Sequence, residues 1–163
     1  MRFIVYVFII FGCLLIQSNL IDLIAIKKIK PDFLLIVLIW IGQKEGQFVG
    51  TIGGFFIGLI QDIFETQFLG LSALCKSIAG FVAGRLKTKE REVNLINLGT
   101  FIFIIGLLHN LIYYSIRLLG TGYGFLRLIF RFILPETFYT LVFGLIIFSI
   151  LPQKWSKNIG DNE

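Results

Sequence analysis

The sequence predicts an all-α, polytopic membrane bundle of about six transmembrane helices. Three observations carry that prediction. The chain is 56% hydrophobic with a mean hydropathy of +0.88, only 15% of its residues are charged, and its apolar runs are separated by short polar stretches. Ordinary soluble chains carry about 25% charged residues. With 163 residues there is room for one membrane domain, residues 1–153 with a short cytoplasmic tail at 154–163, and none for a second, soluble unit.

A helix that crosses the hydrocarbon needs about 20 apolar residues. The first span covers about residues 3–24. A lone early Arg2, a long apolar run and no small-x-small cleavage site favour a retained helix over a removed signal peptide. The basic stretch Lys27, Lys28, Lys30 ends at Pro31, which suits the first turn of a helix, and Asp32 beside it is favoured by the helix dipole. This second span, about 31–45, is short: Pro31–Gly42 rises only about 18 Å against about 30 Å of hydrocarbon. Short helices are best tolerated inside a bundle or where the bilayer thins. Spans over about 47–64, 68–84 and 95–119 follow, with a polar connection at 85–92. Residues 125–151 could form one continuous helix, but Pro135 falls within them and a division there is the preferred reading. An interfacial helix over 123–134 would carry Arg127 and Arg131 one turn apart on its polar face, and a last span would cover 135–152, with Glu136 as its helix-start carboxylate. Lys154, Trp155 and Lys157 are the interface anchors expected after a last span.

Six spans put both termini on one side. Arg2, Lys44, Arg85, Lys87, Lys89, Arg91, Lys154 and Lys157 then oppose Lys27, Lys28, Lys30, Arg117, Arg127 and Arg131, a bias of eight to six. The positive-inside rule turns that bias into cytoplasmic termini, with the short 85–91 loop as its heaviest contributor. The net charge of +5 sits at segment ends rather than along one face, so it is not a nucleic-acid footprint and no nucleic-acid partner is expected. Cys13 and Cys75 lie inside apolar segments and read as small buried hydrophobes, not as a disulfide framework.

Residues 46–84 are the most informative stretch. Gly50, Gly54, Gly58 and Asp62 recur every fourth residue, and so do Ser72, Lys76, Gly80 and Gly84. Each set lines one helix face along which another backbone approaches closely. The stripes serve either to pack helix on helix or as an interface for a partner. Asp62 and Lys76 are costly in hydrocarbon and are expected to face protein. Two arrangements stay open. Lys76 leans towards its own helix N-terminus, where Asp62 sits, so the two form an intramembrane ion pair; or Asp62 caps its helix end at the headgroups while Lys76 snorkels alone. A proton or ion relay would need further acids across the membrane, and the chain supplies none on such a path.

His109-Asn110 is the other polar insertion, near the middle of the fifth span. A lone histidine bonds a neighbouring helix more often than a metal, and neither cysteine has ligand spacing, so no metal and no cofactor are expected. The run Gly120-Thr121-Gly122-Tyr123-Gly124 lacks the intervening apolar residue of a potassium filter and follows a full-length span, which makes it a glycine-rich turn. No nucleophile elbow, phosphate-cradling loop or catalytically spaced pair of acids is present, so the chain is not expected to be an enzyme.

Residues from Lys30 to Gly84 carry a family signature. Lys30-Pro31-Asp32-Phe33-Leu34-Leu35 opens the second span; Gly58-Leu59-Ile60-Gln61-Asp62 closes the third; Phe68-Leu69-Gly70-Leu71-Ser72-Ala73-Leu74 and Ser77 open the fourth. This stretch resembles the bacterial rod-shape-determining membrane proteins of the MreD family. Length, the basic loop after the fourth span and the proline-led last span agree; where an Asn is expected in the last span, this chain has Phe143-Gly144. The resemblance implies a non-enzymatic scaffold of the cell-elongation machinery in the inner membrane, one that binds MreC and helps organise peptidoglycan synthesis. Its implied neighbours are the actin-like MreB filament and the SEDS glycosyltransferase with its penicillin-binding transpeptidase. Membrane lipid is a further expected partner, and self-association into a homo-oligomer stays open. The implied fold is similar to the substrate-binding subunits of energy-coupling-factor transporters, so a vitamin-type substrate-binding subunit is the alternative. That function needs polar and aromatic residues converging on an enclosed pocket, and Asp62, Lys76, His109 and Asn110 are a thin set for it.

Overall fold

Apolar runs this long must satisfy their backbone hydrogen bonds within themselves, and they do so as helices. The computed structural model describes residues 2–19, 30–64, 68–86, 95–119 and 124–150. Six helices follow in order: α1 Arg2–Asn19, α2 Phe33–Glu45, α3 Gln47–Phe64, α4 Leu71–Arg85, α5 Leu95–Arg117, and α6 over Phe125–Ile150. Among the described residues there is no strand. Three helical stretches are long and apolar enough to cross a membrane, Gln47–Phe64, Ile96–Arg117 and Phe125–Ile150, while Ile4–Gln17 is a shorter apolar helix. Lys27, Lys28, the connection over 87–92, Gly120–Tyr123 of the glycine-rich turn, and the tail with Lys154, Trp155 and Lys157 lie outside the described residues.

The short helix α2 is the centre of the bundle. Phe33, Leu34, Leu35, Ile36, Leu38, Ile39, Ile41 and Gly42 are all buried, the all-round apolarity of a helix enclosed by others. Leu34, Leu35, Leu38 and Ile39 meet Ile57 of α3, Ala79 and Ala83 of α4, and Leu98, Ile102 and Ile105 of α5 in one core. Enclosure explains how a 13-residue helix, about 20 Å long, persists in this setting. On its outer side α1 is held by Tyr6, whose ring meets Trp40 edge-on at 5.8 Å and whose hydroxyl donates to Glu45 Oε1 at 2.6 Å.

The passage from α2 to α3 takes one residue, Gly46. Its φ of +96° is open to glycine, and its N–H donates to the Gly42 carbonyl at 2.9 Å.

The division expected at Pro135 is corrected by the structure. Helix α6 runs through Pro135 without a break, and a π-helical turn over Ile129–Ile133 immediately precedes it. Proline has no N–H to donate and its ring crowds the preceding turn; a widened turn accommodates both. Glu136 is therefore inside a helix rather than at its start, and it accepts a hydrogen bond from the Tyr114 hydroxyl of α5.

Candidate functional site

The two small-residue stripes face each other. A Cβ placed on Gly50 would strike the Gly80 carbonyl and come within 3.1 Å of the Gly42 Cα; one on Gly54 would lie 2.6 Å from the Lys76 carbonyl carbon. One on Gly58 would strike the Ser72 carbonyl and the Ala73 backbone, and one on Gly84 the backbone of Gln47. Backbone touches backbone along the length of the α3–α4 hairpin, so these positions accept hydrogen and nothing larger. Of the two uses open for the stripes, this geometry is helix packing within one chain.

Asp62 closes the end of that hairpin. Its Oδ2 accepts from Gly70 N at 2.9 Å and Ala73 N at 3.1 Å, and its Oδ1 from Ser72 N at 3.0 Å. The first N–H groups of α4 have no partner inside their own helix, and Gly70, the N-cap, has no side chain to offer and a φ of +93°. A carboxylate eleven residues upstream of Ala73 fills that role and complements the helix dipole. Asp62 is buried and its carboxylate faces the next helix, not headgroups. Ser77 donates its hydroxyl to the Ala73 carbonyl at 2.7 Å, while Leu74 points outward, half-exposed.

The proposed Asp62–Lys76 pair is overturned, as is a lone snorkelling Lys76. Lys76 is fully buried and its Nζ donates to Asp32 Oδ2 in a buried ion pair. It reaches the N-terminus of α2, where the N-cap Asp32 supplies the acid, instead of Asp62. The other Asp32 oxygen caps α2 by accepting from Leu35 N at 2.9 Å, and Asp32 N donates to Thr140 Oγ1 of α6 at 3.1 Å. Pro31 stands just before this junction.

A second polar chain lies beside it. The Thr137 hydroxyl donates to the Ile133 carbonyl at 2.7 Å, so its oxygen accepts from Asn110 Nδ2 at 3.1 Å. The Asn110 oxygen then faces His109 Nδ1 at 3.1 Å. That sequence of donors assigns the His109 proton to Nδ1. His109 Nε2 is buried with no hydrogen-bond partner among the described residues. The expected bond from His109 to a neighbouring helix is made by Asn110 instead; His109 stacks on Tyr113 of its own helix, ring centroids 6.0 Å apart. Among the described residues no group of three or more His, Cys, Asp or Glu is placed to hold a metal ion.

With the glycine hairpin, the Asp62 cap on Gly70 and the Pro31-Asp32 helix start in place, the comparison with known families is decisive. The chain matches the family described as rod shape-determining protein MreD over residues 1–156. It belongs to the MreD family. It is therefore a membrane protein of the rod-shape, cell-elongation system that serves peptidoglycan synthesis. No curated protein and no solved structure matches the chain, so the likeness to energy-coupling-factor subunits has no matching structure behind it.

Within this MreD-family chain, sequence reasoning found Asp32, Lys76, His109 and Asn110 separately but did not join them. Thr137 and Thr140 were missed as members of the junction, and the separate Tyr114–Glu136 bond between α5 and α6 was missed as well. Polar residues at three-residue spacing in an apolar helix (Thr137, Thr140) were the available signal, since both fall on one face.

Proposed function

We propose that this chain is a non-enzymatic scaffold that binds MreC in the inner membrane and helps organise peptidoglycan synthesis beside MreB and the SEDS glycosyltransferase with its penicillin-binding transpeptidase. The observation that carries the reading is the family match over residues 1–156. The polar interior agrees with it. Asp32 is occupied by Lys76, Leu35 N and Thr140, and Asp62 by three backbone N–H groups, so these charges hold helices in place instead of lining a substrate path. In this reading the chain crosses the membrane six times, both termini are cytoplasmic, and copies of it associate at most through outward faces. Because the glycine stripes are consumed inside the hairpin, MreC meets those outward faces too.

The test is co-purification of the full-length, tagged chain with MreC from membranes, coupled to depletion in cells. MreC is expected to co-purify, and depletion is expected to round the cells without a defect in vitamin uptake. Normal rods on depletion, or an uptake defect with intact shape, would overturn the scaffold in favour of the transporter subunit.

A further inference from the structure

Helix α6 is longer than the hydrocarbon it has to cross. From Arg131 to Ile150 it rises about 28 Å at 1.5 Å per residue, close to the thickness of a hydrocarbon core, about 30 Å. Phe125–Ile150 is one helix of 26 residues, so the turn carrying Arg127 extends about 6 Å further, to phosphate depth. This end of α6 belongs to the leaflet opposite the C-terminus. Arg127 and Arg131 are both exposed and lie one turn apart. Among the described residues neither is paired with an acid; Arg131 lies over the Phe132 ring at 6.0 Å. Further along the same helix the outward positions are apolar, with Phe138, Val142 and Ile146 exposed at four-residue spacing.

We infer that this face of α6 binds one anionic phospholipid, of the phosphatidylglycerol type. Its phosphate is held by the Arg127 and Arg131 guanidinium groups and an acyl chain lies along Phe138, Val142 and Ile146. Three features select that occupant. Guanidinium forks match phosphate oxygens bidentately, two cations at headgroup depth with no acidic partner among the described residues favour a lipid with net negative charge over a zwitterion, and the apolar run begins below the cations, as the lipid's own polarity does. An acidic segment of a protein would be served by the arginines but not by the apolar run beneath them.

The test is native mass spectrometry of the full-length protein in a nonionic detergent, titrated with dioleoylphosphatidylglycerol and with dioleoylphosphatidylcholine. The wild type is expected to retain one phosphatidylglycerol in preference to phosphatidylcholine. Each of Arg127→Gln and Arg131→Gln should weaken that preference about fivefold, and the double change about 25-fold. Arg85→Gln removes the same charge from an exposed residue at the last turn of α4 and should leave the preference within about twofold. Replacing both arginines by lysine keeps the charge but loses the fork, and should restore only part of it. A wild type that binds both lipids equally would overturn the inference and leave the arginines to an acidic protein segment. An equal loss in Arg85→Gln would also overturn it, since the attraction would then be diffuse net charge.

Discussion

The α3–α4 hairpin and the polar junction beneath α2 are both buried, yet they are built in opposite ways. In the hairpin, Gly50, Gly54, Gly58, Gly80 and Gly84 remove side chains so that two backbones touch. At the junction, Asp32, Lys76, Asn110, Thr137 and Thr140 extend side chains from four parts of the fold to reach one another. The hairpin gains from dispersion over a long contact and has no slack. The junction gains from charge and hydrogen bonding in a medium without water, where a lost partner is costly but a matched replacement is tolerated. The hairpin is therefore expected to fail on any added volume, and the junction only on a broken pairing.

Enlarging a hairpin glycine is expected to do most harm. Gly54→Leu or Gly58→Leu drives a side chain into the Lys76 or Ser72 carbonyl and should exceed the roughly 1–3 kcal/mol usual for overpacking. The loss is read as the fraction of monodisperse protein recovered in mild detergent, and wild-type recovery of both variants would break the comparison. Next comes Lys76→Met, which leaves the Asp32 carboxylate buried without its cation and should cost about 3–5 kcal/mol. Adding Asp32→Asn should return much of that stability. In reversible unfolding, the Asp32/Lys76 double-mutant cycle should show strong coupling and an Asp62/Lys76 cycle far weaker coupling; the reverse order would restore the pairing the structure rejects.

Smaller effects sharpen the same contrast. Asp62→Ala strips the acceptor from three N–H groups at the start of α4 and should cost about 2 kcal/mol. Hydrogen exchange should localise the change to residues 70–73, whereas protection loss spread evenly over α3 and α4 would argue that Asp62 acts by packing. Gly70→Ala, forced into a left-handed φ of +93°, should lose about 1–2 kcal/mol. Asn110→Ala, which cuts the side-chain bond to Thr137, should lose about 0.6–1.7 kcal/mol in the same unfolding assay. A loss as large as that of Lys76→Met would mean that the two polar chains act as one network.

The hairpin was legible because its rule is local. A residue every fourth position marks one helix face whatever surrounds it, and a short turn makes two such faces neighbours. The helix starting at Pro31-Asp32 was legible for the same reason. The partner of Lys76 was not legible: proximity along the chain offered only Asp62, fourteen positions away, as a pairing to set against a lone snorkelling lysine, while the true partner is 44 residues distant. Pro135 was misjudged because a proline signals a break only if the helix cannot change its pitch, and Ile129–Ile133 shows that it can.

Hydropathy, the glycine spacing and the Gly58–Asp62 and Gly70–Leu74 motifs determined by themselves the helical membrane class, the two small-residue helix faces and the MreD family, while the structure decided that those faces pack on each other. Tertiary structure alone decided that Asp62 caps the following helix, that Lys76 belongs to Asp32, and that Asn110 and Thr137 join α5 to α6. Periodicity places a residue on a face of its own helix, but which faces meet, and at what depth, depends on how the other helices pack around α2.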